Sequence, residues 1–105
     1  MENNSGLLAE IVKRIVDKMD PLKVVLFGSR ARGSARPDSD FDLMVIAESD
    51  QPRYRRAAAL YTNLADLPVE VEIVVYTPQE VEEWRRVPQA LVTTALQEGR
   101  VLYER

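Results

Sequence analysis

The sequence predicts a mixed α/β domain, a small mixed β-sheet packed against α-helices. Three observations carry that class. Lys23-Val24-Val25-Leu26-Phe27 is a short, continuous, β-branched apolar run, the pattern of a strand buried on both faces. Helical and strand patterns follow one another in the order helix, strand, loop, strand, helix, strand, helices. The helical stretch over residues 52–65, between the second and third strands, is long enough for a parallel crossover.

Taken in order, Ser5 can cap a first helix whose apolar residues Leu8, Ile11, Val12, Ile15, Val16 and Met19 recur at three- and four-residue spacing. Asp20-Pro21 stops it. After the first strand, Gly28 ends the run, and a second strand is expected over Phe41 to Ala47. Pro52 opens the next helix, with Tyr54, Ala57, Leu60, Tyr61 and Leu64 as its buried stripe and Arg53, Arg55 and Arg56 on its wet side. A third strand runs from Val69 to Tyr76, its odd-numbered residues facing one way and Glu70, Glu72, Val74 and Tyr76 the other. Thr77-Pro78-Gln79-Glu80 reads as a capping box, with Val81 and Trp84 anchoring the helix behind it. Pro88 starts a last helix through Leu91, Val92, Ala95 and Leu96, closed by Gly99, and Arg100 to Tyr103 reads as an edge strand.

The chain of 105 residues is expected to form a single domain over 1–105. No apolar run approaches the roughly 18 residues that cross a bilayer, and no positively charged leader is visible, so a soluble, cytoplasmic protein is expected. With neither cysteine nor histidine, disulfides, thiolate or imidazole metal sites, and triads built on either residue are excluded. Catalysis is left to carboxylates, lysine, tyrosine and hydroxyls. The net charge of −3, from 14 Lys and Arg against 17 Asp and Glu, argues against direct nucleic-acid binding. The basic residues are nevertheless concentrated: Arg30, Arg32 and Arg36 crowd the loop after Gly28.

That loop lies in the stretch Phe27–Leu43, where the chemistry concentrates. A Gly28-Ser29 turn entering a helical turn offers backbone N–H groups to a phosphate. Asp40 and Asp42 are two residues apart on a strand, so they share a face about 7 Å apart and repel each other without a cation between them. If the second and third strands are parallel neighbours, the acidic beginnings of both lie at one end of the sheet. An antiparallel first strand would deliver Gly28-Ser29 to that same end. Mg²⁺ takes oxygen ligands, and a pair of ions about 3.5–4 Å apart can serve the attacking and leaving oxygens of a phosphoryl displacement. Asp40 and Asp42 suit bridging both ions, and Glu72 could complete the acceptor-side one, with Glu70 a rival on the same face. Arg30 and Arg32 could hold the leaving phosphates by charge-assisted hydrogen bonds. Ser29 has no base at hand to make it a nucleophile.

Gly28-Ser29, ten intervening residues and Asp40-Phe41-Asp42, flanked by apolar strands, resemble the signature of the polymerase-beta-type nucleotidyltransferases. The wording Gly28-Ser29-Arg30-Ala31-Arg32-Gly33, with Asp38-Ser39-Asp40 later and Val75-Tyr76-Thr77-Pro78 closing the third strand, is similar to the minimal nucleotidyltransferase branch. The resemblance covers essentially the whole chain. It implies the nucleotidyltransferase fold, two Mg²⁺ ions held by Asp40, Asp42 and Glu72, and a nucleoside triphosphate on Gly28, Ser29, Arg30 and Arg32. It further implies transfer of AMP from ATP to a hydroxyl, a tyrosine of a helical HEPN-type toxin that this chain would neutralise as antitoxin. The third acid in such proteins is commonly aspartate; here the matching position is Glu72, one methylene longer. Two other readings stand beside this one: an antitoxin that neutralises by binding alone, and transfer to a small molecule of the aminoglycoside kind. Enzymes of the last kind usually carry an additional helical domain. The nucleotide base, the acceptor atom and the oligomeric state stay open.

Overall fold

The computed structural model describes residues 5–33 and 40–105. Four strands form one sheet in the order β3-β2-β1-β4, with β1 at Lys23–Phe27, β2 at Phe41–Ile46, β3 at Val71–Tyr76 and β4 at Arg100–Glu104. β1 runs antiparallel to both β2 and β4, whereas β2 and β3 are parallel. A parallel pair cannot close through a hairpin, and its crossover is supplied by α3 (Arg53–Arg56) and α4 (Ala58–Leu64).

Strand alternation divides the core between the two faces of the sheet. On one face Val24, Leu26, Phe41, Leu43, Val45, Ile73 and Val75 meet Ile11 and Ile15 of α1 (Ser5–Met19) and Leu60 and Leu64 of α4. On the other face Val25, Met44 and Ile46 meet Val92 and Ala95 of α6 (Leu91–Glu98), with Val81 of α5 (Pro78–Trp84) beside them. Each such aliphatic side chain stabilises the fold by about 1.5–3 kcal/mol when removed from water. α1 ends as expected at Asp20, whose φ of 50° turns the chain and whose N–H donates to Val16 O at 2.9 Å before Pro21. Arg14 then ties α1 to the end of α4, donating to the carboxylate of Asp66 at 2.7 Å and to Asn63 O at 3.0 Å.

The capping box predicted at Thr77 is complete: Glu80 N donates to Thr77 Oγ1 at 3.2 Å, and Thr77 N donates to Glu80 Oε1 at 3.0 Å. Several boundaries differ from the sequence reading. Asp40 lies just before β2, which ends at Ile46, and β3 begins at Val71 because Val69 N–H turns back to Leu67 O. Residues 88–90 precede α6 without belonging to it, and β4 runs on to Glu104. Trp84 is 42% exposed and anchors little. The larger correction concerns residues 52–65, which form two helices broken at Ala57 instead of one. The break turns Tyr54 out to 81% exposure and Arg56 in to 9%. Tyr61, expected in the buried stripe, is 42% exposed.

Candidate active site

The C-terminal end of β1 and the N-terminal ends of β2 and β3 meet at one end of the sheet. Phe27 pairs with Asp42 across the antiparallel ladder, and Asp42 pairs with Glu72 across the parallel one. Residues paired in this way project to the same face, on strands about 4.8 Å apart. Phe27, Asp42 and Glu72 therefore form a row, on the face that becomes apolar further along through Met44 and Val74. Phe41 N–H donates to Glu70 O at 3.1 Å, which carries the ladder back one step and sets Glu70 beside Asp40. Register thus separates the two glutamates: Glu72 is the partner of Asp42, and Glu70 lies nearer Asp40.

Gly28 connects this row to the turn that follows β1. Its φ of 76° and ψ of −158° lie in a region that essentially only glycine occupies. A Cβ there would strike Asp42 Oδ2 and lie 3.1 Å from Asp42 Cγ, so the absent side chain makes room for that carboxylate. The chain then makes one helical turn, α2 at Ser29–Arg32, with Ala31 N–H donating to Gly28 O at 3.1 Å. The first turn of a helix directs N–H groups outward along its axis. The aspartate and the phosphate-type turn are thus in direct contact.

The remaining expected site residues are placed less closely. Asp40 is exposed one residue before β2, and Glu72 is exposed on β3. Among the described residues no group of three or more acidic side chains is arranged to hold a metal ion. The Asp42 carboxylate is turned toward Gly28. The backbone sets Asp42 and Glu72 side by side. Arg30 lies with its guanidinium 4.2 Å from the centroid of the Phe41 ring. Arg32 falls within α2, but its side chain lies outside the described residues, as do residues 34–39 with Arg36 and Asp38.

Two features escaped the sequence reading. The contact between Gly28 and Asp42 could have been suspected from a glycine ending a strand, although its partner is fixed only by register. The Tyr61 hydroxyl, which accepts from Ile73 N–H at 2.8 Å beside Glu72, has no local signal at all.

The nucleotidyltransferase domain model matches residues 8–102 of this chain. The chain belongs to the nucleotidyltransferase domain family. Among its relatives is the Methanocaldococcus jannaschii protein named "Putative protein adenylyltransferase MJ0604", 31% identical over 83 residues, which are 77% of each chain. Solved structures share the fold. A "putative nucleotidyltransferase" of Sulfolobus solfataricus superposes with a TM-score of 0.67 at 20% identity, covering 95% of this chain and 79% of that one. The toxin–antitoxin MntA-HpeT gives 0.65 at 21% identity, over 100% of this chain and 75% of the other. A toxin–antitoxin complex with AMP-PNP gives 0.62 at 23% identity, over 92% and 73%. The mixed α/β architecture expected from the sequence is shared with these structures. Among the described residues, no helix is long and apolar enough to cross a membrane.

Proposed function

We propose that this nucleotidyltransferase, acting as one catalytic domain over residues 1–105, moves AMP from ATP to a hydroxyl of a partner protein, a tyrosine of a HEPN-type toxin, and so serves as an antitoxin in the cytoplasm. The observation that carries the reading is the row of Asp42 and Glu72 with Gly28 packed against Asp42, which joins a carboxylate pair to a phosphate-type turn. The named activity of the archaeal relative and the toxin–antitoxin context of two fold neighbours favour a protein acceptor.

The donor set at the sheet end is all oxygen, which suits Mg²⁺. Asp40, Asp42 and Glu72 would hold two such ions, which when bound neutralise phosphate charge and lower the pKa of the acceptor hydroxyl. The Gly28-Ser29 turn would bind the triphosphate through backbone N–H groups, with Arg32 and Arg30 on its outer phosphates once Arg30 leaves the Phe41 ring on which it is stacked. The acceptor oxygen forms a bond to the α-phosphorus as the bond to pyrophosphate breaks. The acceptor proton would pass to water where Glu72 is a ligand, or to the Glu72 carboxylate where it is not. The partner protein would supply a wall of the acceptor side.

The test is incubation with α-labelled ATP, Mg²⁺ and the candidate toxin. Label should appear on the toxin and vanish with Asp40→Asn. A second reading, neutralisation by binding alone, draws on the lack of a preformed three-carboxylate group among the described residues. Under it Asp40→Asn still neutralises the toxin, and no nucleotide labels it. Mg²⁺ should also raise the melting temperature of the wild type by a few degrees more than that of Asp42→Asn, because it relieves repulsion among the acids. Equal shifts in the two proteins would remove Asp42 from the metal site.

A further inference from the structure

We propose that Tyr61 is a positioning residue for Glu72: its hydroxyl pins the outer rim of β3 one residue away and so fixes the backbone that carries Glu72 beside Asp42. This rests on the reading of Glu72 as the acceptor-side ligand.

β3 is an edge strand. Glu70 O and Tyr76 O accept from β2 and its extension, at 3.1 Å from Phe41 N and 3.0 Å from Ala47 N. The even-numbered residues of β3 therefore turn their backbone polar groups inward to β2, and Val71, Ile73 and Val75 turn theirs outward. An open row of this kind invites water or a foreign strand. Here two side chains of the crossover meet it. Ile73 N–H donates to Tyr61 Oη at 2.8 Å, and Arg56 Nη1 donates to Val75 O at 3.0 Å.

Water could satisfy Ile73 as well as a phenol does, so the hydroxyl is not needed merely to pair the amide. What it adds is a fixed point. Tyr61 stands on α4, next to the fully buried Leu60 and three residues before the buried Leu64, so its backbone is locked to the core. The rigid path runs from α4 through Tyr61 Oη to Ile73 N, and Glu72 is the adjacent residue. Glu72 is exposed, and its side chain has one more rotatable bond than the aspartate common at this position. A backbone anchor therefore matters more here. Partners that orient a metal ligand without touching the metal typically change affinity or activity by about 10–100-fold when removed.

Tyr61→Phe keeps the ring and removes only the hydroxyl. Three readouts are taken on the intact chain: amide exchange by NMR, binding of Mn²⁺ alone, and label transfer. Ile73 exchange should accelerate about tenfold while the interior β2 amide of Val45 keeps its rate. Mn²⁺ affinity should weaken about tenfold, and kcat should fall by a similar factor with KM for ATP within about twofold, because the triphosphate turn is on β1. Wild-type exchange at Ile73, or unchanged Mn²⁺ affinity, overturns the proposal. Uniform acceleration of all amides also overturns it, marking Tyr61 as a plain stability contact. If the wild type transfers no label, the functional reading fails, while exchange and Mn²⁺ binding still decide the role of Tyr61. A wild type that binds no Mn²⁺ overturns both.

Discussion

Gly28→Ala is expected to lower stability by about 3 kcal/mol and to reduce transfer at least about a hundredfold. Two separate penalties act at this one position. The backbone sits at φ 76° and ψ −158°, where any Cβ is strained. The added methyl would also collide with Asp42 Oδ2, and Asp42 cannot withdraw because β2 is held between β1 and β3. The carboxylate must rotate off the turn, breaking the contact between the metal-type and phosphate-type halves of the site. Gly33→Ala is the control. Its φ of 78° and ψ of 12° carry the ordinary left-handed cost of about 1–2 kcal/mol, and among the described residues a Cβ there meets nothing within 4 Å. Thermal unfolding and label transfer on both variants separate strain from collision. Equal losses in the two would show that the Asp42 contact carries no weight.

The contrast between these glycines also shows what the sequence made legible. Strand β1 was readable to the residue, since four apolar positions, two of them β-branched, run from Lys23 to the breaking Gly28. The capping box at Thr77 was readable for the same reason: both of its hydrogen bonds join residues three apart. The alternation that places Asp42 and Glu72 at strand beginnings was local, and the length of the crossover allowed the parallel pairing that the structure has. What could not be read was the phase of the crossover. A break at Ala57, after a single helical turn, rotates everything before it relative to Leu60 and Leu64, and four residues are too few to show a period of their own. The same break exchanges Tyr54 for Arg56 in the interior. No local rule buries an arginine, and the acid that makes it tolerable is twenty-four residues away.

Arg56→Met should lower stability by about 3–4 kcal/mol at neutral pH, or roughly 15 °C in melting temperature. The guanidinium is 8% exposed and grips Glu80 with two bonds, at 2.6 and 3.0 Å, while Nε donates to Gln51 O at 2.8 Å. Removing it leaves a largely covered carboxylate with the longer, 4.0 Å contact to Arg53 in its place, and Val75 O without its donor. Arg56→Lys keeps the charge but not the fork, and falls between. The pH dependence has a definite sign. The hydrogen bond from Arg56, aided by that from the Thr77 amide and by the Coulomb fields of Arg56 and Arg53, holds the Glu80 carboxyl below its usual range despite burial. The ion pair therefore stabilises fully above the unfolded-state pKa of about 4.3, and its contribution is lost as pH falls through the lower folded-state value. The stability gap between wild type and Arg56→Met is then constant above about pH 5.5 and narrows below about pH 4. Denaturant unfolding of both proteins across that range measures it; a gap unchanged in acid would mean that Arg56 acts by packing and backbone bonds, with its charge incidental.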